Sequence, residues 1–290
     1  MTCSPHRYRV GPVTQLKYKE RRAVAGVTTM NNKIFVVCRK LPFIVVYMSQ
    51  EPYTQLPNIP INGLKNPQDI AAGSRFLYVN DPRSRAIWQV KEDDGKVHQW
   101  ISRVRAASVS VTSEEKLVVL VAVDIRGNVK ERNKTWRGEI RIYSPDAVRE
   151  AFIKLSRDIT TPLCVLMTTR KTFIVSYGLE WHEMNRVCEV DMTGRMLKAF
   201  GSAPGKDVDQ LSTPWRASLD DEERIIVADT QNHRVLLLNE QLMLRRVLLT
   251  WYPQSSSNAR GPHRLHYDIS SGRLLVGLRK GPLEVYKLRA

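Results

Sequence analysis

One pattern restricts this chain more than any other: a unit of four apolar runs, separated by turns, recurs along its length. The clearest copy runs through Pro214–Leu219, a charged turn at Asp220–Glu223, Arg224–Asp229, a polar loop at Thr230–His233, Arg234–Leu238 and finally Leu242–Leu249. Four such runs in about 36 residues match one blade of a β-propeller, a unit that buries its faces only by stacking against further copies. The same frame fits residues 24–61, 66–101, 105–155, 161–200, 213–249 and 261–290. The last copy stops after three runs, and an unpaired edge is a liability in a ring. A strand from residues 7–18 is expected to complete it. The expectation is an all-β, six-bladed β-propeller spanning residues 1–290 as one domain, its ring closed by the N-terminal strand.

Composition agrees. With 290 residues, 42% of them hydrophobic, the chain has ample material for a core, and no stretch rich in Pro, Gly and Ser reads as a linker. No apolar run reaches membrane-spanning length and no secretory leader stands behind Met1, so the reading is no membrane partner and a cytoplasmic location. Cys3, Cys38, Cys164 and Cys188 are too scattered for a zinc or disulfide framework and read as free thiols.

Residues 226–235 carry an apolar strand, Ala228-Asp229, a short Asn232-His233-Arg234 loop and a second apolar strand. This resembles the NHL repeat. A weaker copy at 79–85 keeps Asp81 and Arg85 but loses Asn-His and one loop residue. The resemblance implies a six-bladed propeller of a kind found in RNA-binding and protein-binding domains, including those that end tripartite-motif ubiquitin ligases, with hydrolases and lyases among the relatives. Asp229 with Arg234, and by analogy Asp81 with Arg85, are read as charge-assisted pairs that pin a loop, with Asn232 satisfying loop backbone groups.

The net charge of +16 comes from 45 Lys and Arg against 29 Asp and Glu. Loops joining second to third strands share one face with the connections between blades; the remaining turns lie on the other. That register allots Arg39, Lys40, Arg83, Arg85, Arg132, Arg216, Arg264, Arg279 and Lys280 to the first face, and Glu92-Asp93-Asp94, Glu114-Glu115 and Asp220–Glu223 to the second. Cations for phosphates, with Tyr177 or Trp181 to stack a base, suit single-stranded RNA. An acidic protein surface suits the same charges, and recruitment of a protein substrate, as in a tripartite-motif ligase, is the second reading.

A metal-dependent hydrolase or lyase is the third reading. His263 and His266 are three apart, which on a strand points them to opposite sides. No catalytic motif or paired-cysteine site occurs. The expectation is therefore no enzyme, no cofactor, no metal and no small-molecule substrate, with zinc on His182, His263 and His266 the observation that would reverse it.

Overall fold

The second runs are the most apolar, as in Lys33–Cys38, 117–123 and 225–228, as strands covered on both faces must be, whereas fourth runs such as Arg149–Lys154 and Met196–Phe200 mix apolar with polar residues. In a computed structural model, which describes residues 9–16, 22–124, 136–179, 183–251, 261–279 and 281–289, that gradient becomes a radial one. The described strands are β1 (Arg9–Leu16), β2 (Val24–Met30), β3 (Lys33–Cys38), β4 (Phe43–Met48), β5 (Gln55–Pro60), β6 (Asp69–Ala72), β7 (Phe76–Asp81), β8 (Ala86–Lys91), β9 (Val97–Ser102), β10 (Ala106–Val111), β11 (Leu117–Asp124) and β12 (Trp136–Tyr143). They continue with β13 (Arg149–Lys154), β14 (Pro162–Met167), β15 (Phe173–Tyr177), β16 (Arg186–Val190), β17 (Met196–Phe200), β18 (Pro214–Leu219), β19 (Ile225–Asp229), β20 (Arg234–Leu238), β21 (Leu244–Thr250), β22 (Pro262–Asp268), β23 (Arg273–Leu278) and β24 (Leu283–Arg289).

These form six four-stranded antiparallel sheets, β2 to β5, β6 to β9, β10 to β13, β14 to β17, β18 to β21, and β22 to β24 with β1 added outside β24. The fold is a six-bladed β-propeller, and the N-terminal strand closes it: Val10 stands opposite Leu288 and Leu16 opposite Leu283. The first strands of the blades, β2, β6, β10, β14, β18 and β22, pack against one another around the axis. Middle strands such as β15 and β19 are buried throughout, while fourth strands such as β17 alternate between half-buried and exposed. The core is a set of clusters between blades, one joining Ile34 and Val45 to Leu275 and Val285, another joining Val118 and Ile140 to Phe173 and Val175. No helix among the described residues is long and apolar enough to cross a membrane.

One expectation about a loop changes. β15 extends through Tyr177, which is only 1% exposed in the cluster with Phe173 and Val175, so Tyr177 is not a stacking group on a loop. β11 and β12 run on to Asp124 and from Trp136, leaving 125–135 between them.

Candidate functional site: the axial ring and its flanking loops

Every inner strand except β6 shifts register at its second residue, as between Pro214 and Arg216 or Pro262 and Arg264. Such a bulge re-aims the next side chain. Gly26, Ser108, Cys164, Arg216 and Arg264 follow the five bulges, and Asp69 holds the corresponding place in β6, so each blade contributes one residue to a ring about the axis. Arg216 of the fifth blade crosses to Asp69 of the second, Nη1 to Oδ2 at 2.5 Å, and also donates to Ser108 Oγ at 2.6 Å. Asp69 accepts the Val109 N–H at 2.9 Å and the Ile70 N–H at 3.0 Å, which leaves its carboxylate fully engaged.

Among the described residues Arg264 meets no carboxylate within ion-pair distance. It donates to the carbonyls of Ala25, His263 at 2.9 Å and Gln68 at 3.1 Å, tying the sixth blade to the first and second. Burial pulls its pKa below the ordinary guanidinium value; Asp69 opposes this, and Arg216 and Arg39 add to it. A Cβ at Gly26 would stand 2.7 Å from Ile70 N, so only glycine lets the first two blades approach so closely here.

The expected exposure of Arg216 and Arg264 is therefore corrected: they are 9% and 5% exposed. Positions taken as inter-blade connection belong to β18 and β22, and the bulges turn both guanidinium groups inward. Arg39, Lys40, Arg83, Arg85 and Arg279 are exposed, in loops between the second and third strands of their blades. Arg132, Trp181 and Lys280, together with His182, lie outside the described residues. Half-buried Trp215 stands by the ring, its ring centroid 4.4 Å from that of His263 and 5.7 Å from Arg264 Cζ. Burial, reinforced by Arg264, Arg39 and Arg279, holds His263 neutral.

Asp229 is fully buried and accepts Arg234 Nε at 2.7 Å, Asn232 Nδ2 at 2.8 Å and the Ser212 N–H at 2.7 Å. Arg234 and Asn232 then donate to the carbonyls of Gln210 and Gly205, both at 2.7 Å, so this clasp fastens the connection entering its blade. Asp81 works otherwise: it caps the N–H groups of Lys65, Arg83 and Ser84, while Arg85 points to solvent. The shortened loop takes away the reach that Arg234 has.

His266 shares a 2.8 Å hydrogen bond with Thr29 Oγ1. Burial, opposed by Asp268 and aided by Arg216, pulls its pKa from 6.5 to about 4. The unfolded chain takes up this proton near pH 6.5 and the folded one only near pH 4. Stability is then undiminished above pH 6.5 and falls as the pH drops through that window, by up to about 3 kcal/mol. Urea titrations at pH 7 and pH 4.5 should show the loss, and His266→Gln should flatten it.

Among the described residues no three His, Cys, Asp or Glu side chains come together as a metal site, and Cys38, Cys164 and Cys188 are buried and not in disulfides. No protein family and no curated protein sequence matches the chain. Solved structures do. Virginiamycin B lyase from Staphylococcus aureus matches at 9% identity over 98% of this chain and 100% of its own, with a TM-score of 0.64. A protein of unknown function from Bacteroides thetaiotaomicron matches at 13% over 96% of this chain and 72% of its own, TM-score 0.67. The WD40 propeller domain of Doa1 matches at 12% over 97% of each chain, TM-score 0.60. At such identities the likeness establishes the propeller fold, which enzymes and proteins of unknown function share.

Proposed function

We propose that this chain is a non-catalytic binding platform holding single-stranded RNA on the face that carries the loops between second and third strands. The observation behind the reading is a crescent of exposed cations across the sixth, first and second blades and into the third: Arg279, Arg39 and Lys40, then Arg83 and Arg85, with Lys65, Arg103 and Arg105 in the connections. Four carboxylates at this end, Asp158, Glu183, Asp207 and Asp209, stand beside the fourth and fifth blades, while Asp81 in the second blade is buried. Spaced guanidinium groups suit a phosphate chain, and half-buried Trp215, beside His263 and Arg264, offers an aromatic surface near the axis. A catalytic reading is disfavoured because Asp69, the one carboxylate in the axial ring, is committed to Arg216. The Asp229–Asn232–Arg234 clasp supports kinship with NHL repeats, and recruitment of an acidic protein, as in the tripartite-motif ligases, is the reading that remains if RNA is not bound.

Fluorescence polarisation of labelled single-stranded RNA across a salt series tests this. Affinity should fall linearly with salt on logarithmic axes. Arg83→Glu with Arg85→Glu should weaken binding by about tenfold or more and flatten the salt slope, while Glu222→Gln on the opposite face changes it less than about twofold. Equal losses from both variants, or binding indifferent to salt, would remove the RNA reading.

A further inference from the structure

At the end of the ring away from the arginine-bearing loops, where β10, β14 and β18 run out, lies a cavity of about 420 Å³. Its apolar lining comes from Val111, Ile142, Ala151, Met167 and Leu219, with Met192 and Ile269 beside them. The last two are 44% and 62% exposed and border the same opening. Glu114, Glu150, Asp220, Asp221 and Glu223 share the lining against only two lysines, Lys116 and Lys171. Both lysines are already engaged: Lys116 with Glu150 at 2.9 Å and Glu114 at 3.4 Å, and Lys171 with Glu114 at 3.4 Å. Asp220 pairs with Arg224 and Glu223 with Arg170, whereas exposed Asp221 forms no ion pair among the described residues.

A chain of net charge +16 repels cations at long range, but at this opening the five carboxylates still outnumber Lys116, Lys171 and the Arg170 and Arg224 that pair with Glu223 and Asp220, so the local balance is not positive. Complementarity then selects the occupant. An apolar side chain fills the lining, and positive charges on either side of it meet Asp221 and the Glu114–Glu150 edge. We propose that this cavity is a docking site for a basic peptide segment of a partner protein, one that inserts a single apolar anchor between flanking lysines or arginines. It is separate from the RNA reading, since its residues lie on the opposite face.

The probe is a fluorescein-labelled synthetic peptide of lysines and arginines around a central leucine, compared with the same peptide carrying serine at the centre. The leucine peptide should bind with a dissociation constant on the order of 10 μM, and the serine peptide about tenfold more weakly. Ile269→Lys and Met192→Lys, both surface changes whose folding a thermal melt verifies, should each cost about tenfold. Glu114→Lys with Asp221→Lys should weaken binding and flatten its salt dependence, whereas the Arg83 and Arg85 reversals leave it unchanged. Equal binding of the two peptides, indifference to Ile269→Lys, or no binding at millimolar peptide overturns the proposal. So does a concentration-dependent dimer abolished by Ile269→Lys, which would give the surface to a second copy of this chain.

Discussion

Arg216→Ala is expected to destabilise the protein by about 3–5 kcal/mol, more than any surface change. The guanidinium and the Asp69 carboxylate are both nearly inaccessible, and the alanine variant leaves that carboxylate buried without its ion-pair partner, its remaining hydrogen bonds coming from backbone N–H groups. Asp69→Asn should be milder, because the amide still accepts from Val109, although it strands the charge on Arg216. Replacing the pair together, with Arg216→Met and Asp69→Leu, should recover most of the loss, since two apolar side chains carry no desolvation cost. Urea unfolding followed by tryptophan fluorescence supplies all four values. Single and double variants within about 1 kcal/mol of the parent would show that the pair contributes nothing to the ring. Any loss of RNA binding in an Arg216 variant must then be read against its folded fraction, whereas loss in the Arg83 and Arg85 variants reports on the binding surface itself.

The contrast between the Asp229 clasp and the axial ring explains which features a single sequence reveals. Asp229 and Arg234 are five residues apart and their loop is short, so the partnership is local and legible. Asp69 and Arg216 are 147 residues apart, and neither neighbourhood hints at the other. A signal was nonetheless present in the repeat. Pro67, Pro214 and Pro262 each open a unit, and the second residue after each is Asp69, Arg216 and Arg264, so opposite charges recur at one position of different blades. Aligning the copies by position, rather than allotting each residue to a loop, brings the pair together. Tyr177 is a similar case. Period two along β15 sets it beside Phe173 and Val175, and that alternation outweighs the glycine that follows. The blades themselves were legible because short, mainly apolar runs recur at a fixed spacing between turns, and the N-terminal strand because a three-run final copy leaves an edge.

Removing residues 1–16 should have the second large effect, because β1 is where the ring is joined. Its register with β24 runs from Arg9 opposite Arg289 to Leu16 opposite Leu283, and Gln15 Nε2 donates to Glu284 Oε1 at 2.8 Å. Leu16 is 4% exposed and packs in the cluster that joins the sixth blade to the first. Truncation forfeits about 2 kcal/mol for that side chain and a comparable amount in strand hydrogen bonds, so a loss of roughly 4 kcal/mol is expected. It also leaves β24 with an open row of N–H and C=O groups, which invites pairing with a second chain. The truncated protein should melt well below the parent and elute as mixed oligomers by size-exclusion chromatography with light scattering. A synthetic peptide of residues 7–18 added in trans should restore both the melting temperature and the monomer, because it supplies the missing strand without the covalent link. A truncated chain that stays monomeric and melts within about 2 °C of the parent would mean that three strands suffice for the last blade, and that the ring is held shut by the inner strands and their Arg264 ties alone.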